Sequence, residues 1–213
     1  MKKRILLVDD HPLIRKGIGL TLEESSVYEV CCQLSSAEEA IGSIGELKPD
    51  GAVIDISLTG MNGIELVKHI RSSDNDMKIL MVSRHDEDLY AERAIRAGAN
   101  GYLMKQVAAE ELTNALDKIF NGGIYMSEEM SSRMLQQAMG KGPKGEQSPM
   151  DVLSDRELEV FELTGAGLST KEIAEKIHVS AKTVETYKAR LREKLGYESG
   201  HELTRAAIKW TDK

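Results

Sequence analysis

Five short apolar runs, at residues 5–8, 28–34, 52–54, 79–82 and 101–104, punctuate the first 120 residues of this chain. Runs this short, rich in β-branched side chains, suit strands. Between and after them, residues 13–22, 37–47, 63–70, 88–97 and 110–120 space their apolar side chains three and four apart, the period of a helix with one buried face. Strands that alternate with helices can close only as a parallel sheet with right-handed crossovers and helices on both faces. Gly98, Gly101, Gly122 and Gly123 fall where those helices must end or turn. The first 121 residues therefore read as one α/β domain of five βα units.

From Leu153 the strand signal disappears. Helical spacing covers 155–165, 170–177, 181–195 and 201–210, and Ser154, Ser169 and Ser180 each stand where an N-cap belongs. Ser154 and Glu157 also have capping-box spacing. A small all-α domain is expected over 151–213. Residues 122–150 read as a linker with a short amphipathic helix at 127–139, because Gly and Pro crowd 140–149. At 213 residues the chain has room for two cores.

Composition narrows the class. No aliphatic run approaches a membrane span, and the apolar segment after Met1-Lys2-Lys3-Arg4 stops at Asp9, too soon for a signal-peptide core. A cytoplasmic protein is expected. Cys31 and Cys32 are adjacent in a strand-like run and suit neither a disulfide framework nor a zinc cluster. Net charge of −7 argues against nucleic acid as a partner for the chain as a whole. Its distribution reverses that inference locally: 180–194 carries Lys182, Lys188, Arg190, Arg192 and Lys194 against only Glu185 and Glu193.

Asp9, Asp10, Asp55, Ser83 and Lys105 lie far apart in sequence, yet each falls at or just past the end of an expected strand. In an open parallel sheet those carboxyl ends share one edge, where such folds place ligands. Carboxylates gathered there repel one another, and a hard cation such as Mg²⁺ relieves the repulsion through oxygen ligands. Asp55, alone at the end of the central strand, is the candidate phosphoryl acceptor. Asp9 and Asp10 are the candidate metal ligands, with Lys105 and Ser83 placed to meet phosphoryl oxygens. His11, beside the acidic pair, is left outside the site.

The stretches Leu7-Val-Asp-Asp-His-Pro12, Asp50-Gly-Ala-Val-Ile-Asp-Ile56 through Gly60-Met-Asn-Gly63, the Ser83 position and Ala97-Gly-Ala-Asn-Gly-Tyr-Leu-Met-Lys105 resemble a response-regulator receiver domain. The resemblance implies a flavodoxin-like (CheY-like), doubly wound five-stranded parallel sheet in the order 2-1-3-4-5. It also implies that the Ser57 carbonyl completes the metal shell, that Ser83 is the switch hydroxyl and that Tyr102 is the switch aromatic, moving inward on phosphorylation. Thr59 and Gln106 depart from the family pattern, where proline is usual. Residues 153–160, 167–174 and 179–196 resemble the LuxR-type helix-turn-helix, and the two halves together resemble the NarL/FixJ class of response regulators.

That resemblance puts the exposed face of 181–195 in the DNA major groove. Glu185, Thr186 and Ala189 then meet base edges, while Ser169, Thr170, Lys171, Lys182, Thr183, Lys188, Arg192 and Lys194 meet phosphates. It further implies a sensor histidine kinase as phosphodonor, double-stranded DNA as ligand and a homodimer when phosphorylated. Chemistry beyond Mg²⁺-dependent phosphoryl acceptance and slow self-dephosphorylation is not expected. A phosphate-receiving adaptor and a hydrolase with Asp55 as nucleophile remain the rival readings of the residues themselves.

Overall fold

Strands β1 (Lys3–Val8), β2 (Tyr28–Leu34), β3 (Gly51–Ile54), β4 (Lys78–Ser83) and β5 (Gly101–Met104) form one parallel sheet in the order β2-β1-β3-β4-β5, as the sequence implied. This computed structural model describes residues 1–139 and 149–211. The inner strands β1, β3 and β4 are almost wholly buried, which is why they are continuous apolar runs rather than alternating ones. The edge strand β2 instead exposes Glu29 and Gln33.

Helices α1 (Pro12–Glu23) and α5 (Ala108–Phe120) cover one face, packing Ile18, Leu22, Leu112, Leu116 and Ile119 against Ile5, Leu7, Val53, Leu80 and Val82. Helices α2 (Ala37–Leu47), α3 (Gly63–Arg71) and α4 (Glu87–Ala97) pack along the other. Local chemistry starts and stops them. Pro12 occupies the first turn of α1; Ser36 and Asn62 accept hydrogen bonds from the Glu39 and Glu65 amides. Gly98, at φ 107°, ends α4 in the left-handed region where a side chain is strained. Arg71 then ties the end of α3 to the next loops, donating to the Gly98 and Met77 carbonyls and to the Asn100 side chain.

The chain divides into two compact units, Met1–Gly142 and Pro143–Lys213. Within 122–150, α6 (Glu128–Ala138) packs on α4: Glu87 accepts from the Ser127 amide at 2.8 Å, and Arg133 pairs with Asp88 at 3.0 Å. The Gly/Pro-rich stretch at 140–148 lies outside the described residues. In the second unit α7 (Asp155–Gly165), α8 (Thr170–Lys176), α9 (Ala181–Leu195) and α10 (Gly200–Thr211) enclose Leu158, Phe161, Ile173, Ile177, Val184, Leu191, Leu203 and Ala207. Capping boxes open α7 and α8, and the Ser180 hydroxyl caps α9. No described helix is long and apolar enough to cross a membrane.

Candidate functional site

Hydrogen bonding along β1 and β3 sets the pocket. The Asp55 amide donates to the Val8 carbonyl at 2.8 Å, so Asp9 and Asp55 leave neighbouring strand ends together. Both are 3% exposed, and Ser83 at the end of β4 is fully buried. Lys105, the residue after β5, reaches back across the sheet edge. Its ammonium lies 2.6 Å from Asp55 Oδ2 and 2.7 Å from Asp9 Oδ2. The structure thus brings Asp9, Asp55 and Lys105 into contact, three of the residues that strand-end placement had singled out.

Burial pushes the Asp55 carboxyl above its ordinary value; Lys105 opposes that rise, while Asp9 and Asp10 add to it. Ligand atoms of Asp9, Asp10, His11 and Asp55 all lie within 4.8 Å of one another. Asp9 Oδ2 and Asp10 Oδ1 are buried and make no hydrogen bond. Their close neighbours are the Lys105 ammonium at 2.7 Å from Asp9 and His11 Nδ1 at 2.6 Å from Asp10, contacts without hydrogen-bond geometry. Oxygen atoms left in this state fit a hard divalent cation such as Mg²⁺.

Three neighbours of the pocket were not placed in the site by the sequence. His11 meets Asp10, Thr59 Oγ1 donates to Asp10 Oδ2 at 3.3 Å, and His85 contacts Ser57, Ser83 and Tyr102. The His85 ring nitrogen Nε2 is 2.7 Å from the Ser57 hydroxyl, its amide donates to Ser83 Oγ at 3.2 Å, and its carbonyl accepts from the Tyr102 hydroxyl at 2.7 Å. Tyr102 is 1% exposed, so the ring already occupies an inward position in this conformation. Only the proximity of Ser83 and His85 in the chain hinted at this cluster.

On the second unit, α8 ends at Lys176 and α9 begins at Ala181 after a four-residue turn, the layout of a helix-turn-helix. Val184 and Leu191 bury one face of α9 and leave Lys182, Glu185, Thr186, Ala189 and Arg190 exposed. Thr183, Lys188 and Arg192 are half-buried at its margins. Ser169 caps α8, Thr170 follows it, and Lys171 lies 3.9 Å from Glu175. Lys194 differs from the other expected phosphate contacts. Its ammonium donates to Glu157 at 2.6 Å and to the Val152 carbonyl at 3.1 Å, so it already holds α9 against the start of α7.

These two units correspond to two separate family models. Residues 5–117 match the response regulator receiver domain, and residues 151–207 match the bacterial regulatory proteins of the luxR family. The chain therefore belongs to the bacterial response regulators that join a receiver to a LuxR-type DNA-binding domain. It is 33% identical over 206 residues to the response regulator GacA of Pseudomonas viridiflava, covering 97% of this chain and 95% of that one. It is 33% identical over 205 residues to the response regulator UvrY of Escherichia coli K12, covering 96% and 93%. Among solved structures it resembles a LuxR-family two-component response regulator from Aurantimonas sp. SI85-9A1, with a TM-score of 0.60 at 34% identity over 65% of this chain and 99% of that one. It also resembles the response regulator RcsB in a complex with DNA, with a TM-score of 0.58 at 25% identity over 98% of each chain.

Proposed function

We propose that Asp55 accepts a phosphoryl group from a partner histidine kinase and that this modification controls dimerisation and DNA binding in the cytoplasm. The observation that carries the reading is the Lys105 ammonium, 2.6 Å from Asp55 and 2.7 Å from Asp9, in a pocket where Asp9 Oδ2 and Asp10 Oδ1 are buried without a hydrogen bond. In the transfer, an Asp55 oxygen forms the bond to phosphorus as the donor's phosphorus–nitrogen bond breaks, and the histidine ring leaves with that electron pair. Asp9, Asp10, Asp55 and the Ser57 carbonyl would hold Mg²⁺, which when bound neutralises charge on the transferring oxygens.

Lys105 is already paired with the acceptor and need only follow it to meet a phosphoryl oxygen. The new group adds about −1.5 to −2 charges. Ser83 turns its hydroxyl from the His85 amide toward the phosphoryl group, and the loop carrying His85 and the Tyr102 hydroxyl bond must then rearrange. Such a two-state element supplies about 1–3 kcal/mol of coupling, enough to move a dimerisation equilibrium about 5–150-fold. On the second unit, the exposed face of α9 enters the major groove of duplex DNA, with Glu185, Thr186 and Ala189 toward base edges. Ser169, Thr170, Lys171, Lys182, Thr183, Lys188 and Arg192 lie toward phosphates. That RcsB, a structural relative, forms a complex with DNA supports DNA as the ligand of this unit.

The test is Asp55→Asn, which preserves size and removes the nucleophilic charge. Wild type should take up phosphate from acetyl phosphate with Mg²⁺ present, while the variant keeps the native circular dichroism and takes up none. Labelling of the variant at the wild-type rate would place the acceptor elsewhere.

A further inference from the structure

The first two turns of α9 carry one acid among bases. Glu185 stands in the second helical turn, with Lys182, Lys188 and Arg190 around it. Its carboxylate is oriented by the preceding helix. The Thr170 hydroxyl, in the first turn of α8, donates to Glu185 Oε1 at 2.7 Å. The Lys188 ammonium donates in turn to that same hydroxyl oxygen at 2.9 Å. Each hydroxyl has one proton, so accepting from Lys188 commits the Thr170 proton to Glu185. The result is a Lys188–Thr170–Glu185 chain that fixes the carboxylate before any ligand arrives.

A carboxylate has only acceptors to offer, and DNA phosphates repel it. In the major groove the matching donors are exocyclic amino groups. Adenine shows its amino group beside the N7 acceptor, which faces a carboxylate unfavourably, whereas cytosine shows the N4 amino group alone. The first turns of a recognition helix are the part that meets base edges. We propose that Glu185 reads a cytosine N4 amino group in the operator, with Thr170 as the positioning residue. This inference rests on the reading of α9 as the helix in the major groove.

Selection from a randomised duplex library, using the full chain with Mg²⁺ and acetyl phosphate, tests it. Wild type should enrich cytosine at one position of the recovered site. Glu185→Gln, whose amide suits adenine N6 and N7 together, should shift that position to adenine, changing the cytosine-to-adenine affinity ratio about 5–150-fold while other positions keep their preference. Thr170→Val should weaken the cytosine preference, and Thr170→Ser, which retains the hydroxyl, should restore it. Identical base frequencies for Glu185→Gln and wild type would overturn the inference while leaving DNA binding intact. Recovery of no preferred sequence by wild type would overturn the inference together with the placement of α9 beneath it.

Discussion

Replacing Gly63 by alanine should unsettle the acceptor pocket although the residue has no side chain to contribute. A Cβ at Gly63 would lie 1.9 Å from the Asp55 carbonyl oxygen, 2.8 Å from its carbon and 3.0 Å from Ile56 Cα. Ordinary contact begins near 3.4 Å, so about 1.5 Å of movement is needed, and both obvious routes are obstructed. Moving α3 away breaks the 2.8 Å hydrogen bond from the Gly63 amide to the Ile56 carbonyl and displaces Ile64, Leu66, Val67 and Ile70, all at most 2% exposed. Moving the Asp55–Ile56 peptide displaces Asp55, the proposed acceptor. Overpacking costs about 1–3 kcal/mol and the lost hydrogen bond about 1 kcal/mol, giving about 2–4 kcal/mol in all. For a unit of this size that lowers Tm by roughly 10 °C. If Asp55 is the nucleophile, as proposed, misplacing it by about 1 Å should also slow phosphate uptake by about two orders of magnitude. Near-UV tyrosine circular dichroism reads the first effect, since Tyr28, Tyr90 and Tyr102 are buried in this unit, and labelling by acetyl phosphate reads the second. Gly42→Ala is the control: it lies in the middle of α2 with open space around it and should stabilise the unit by about 0.5–1 kcal/mol. Wild-type melting and labelling in Gly63→Ala would refute the steric argument.

Other perturbations separate binding from stability. Lys182→Ala should weaken association with every duplex sequence and reduce the slope of log affinity against log salt by about one contact, read by fluorescence anisotropy between roughly 50 and 200 mM salt; an unchanged slope removes Lys182 from the interface. Lys194→Ala should instead cost about 1–3 kcal/mol of stability in the helical unit by leaving the buried Glu157 carboxylate short of a partner. Trp210, the one tryptophan of the chain and in edge contact with Phe161, reports that unfolding, and an unaltered urea midpoint counts against the pairing. Burial alone would raise the Glu157 carboxyl, but hydrogen bonds from Lys194 and Ser154 outweigh it and hold it below 4.5. Its contribution is therefore complete above the unfolded value and lost as pH falls through the lower folded one. The stability difference between wild type and Glu157→Gln should shrink as pH drops below 4.5, and a difference that grows on acidification contradicts that sign. Mg²⁺ at about a hundred times its dissociation constant should stabilise the first unit by about 2.7 kcal/mol, and Asp10→Asn should abolish most of the gain; an equal gain in the variant takes Asp10 out of the ligand set.

The strands were legible because burial on both faces demands unbroken apolar runs, as at 5–8, 52–54 and 79–82, whereas their order was implied by the resemblance to receiver domains. Helix starts were legible for a similar reason: the Ser154, Ser169 and Ser180 hydroxyls accept from amides of the first helical turn, which have no partner within the helix ladder. Strand ends in a parallel sheet share an edge, so Asp9, Asp55, Ser83 and Lys105 could be gathered without coordinates. Contacts that depend on side-chain direction were not legible. That Lys194 turns to Glu157, that His85 joins Ser57 to Tyr102, and that Thr170 orders Glu185 follow from how separate elements pack. The sequence by itself determined the two architectures and the chemical inventory of the pocket, since periodicity and local capping act within a few residues. Tertiary structure alone decided which of those groups meet, because hydrogen bonds and ion pairs are settled over the last few ångströms, after helices and strands from distant parts of the chain have docked.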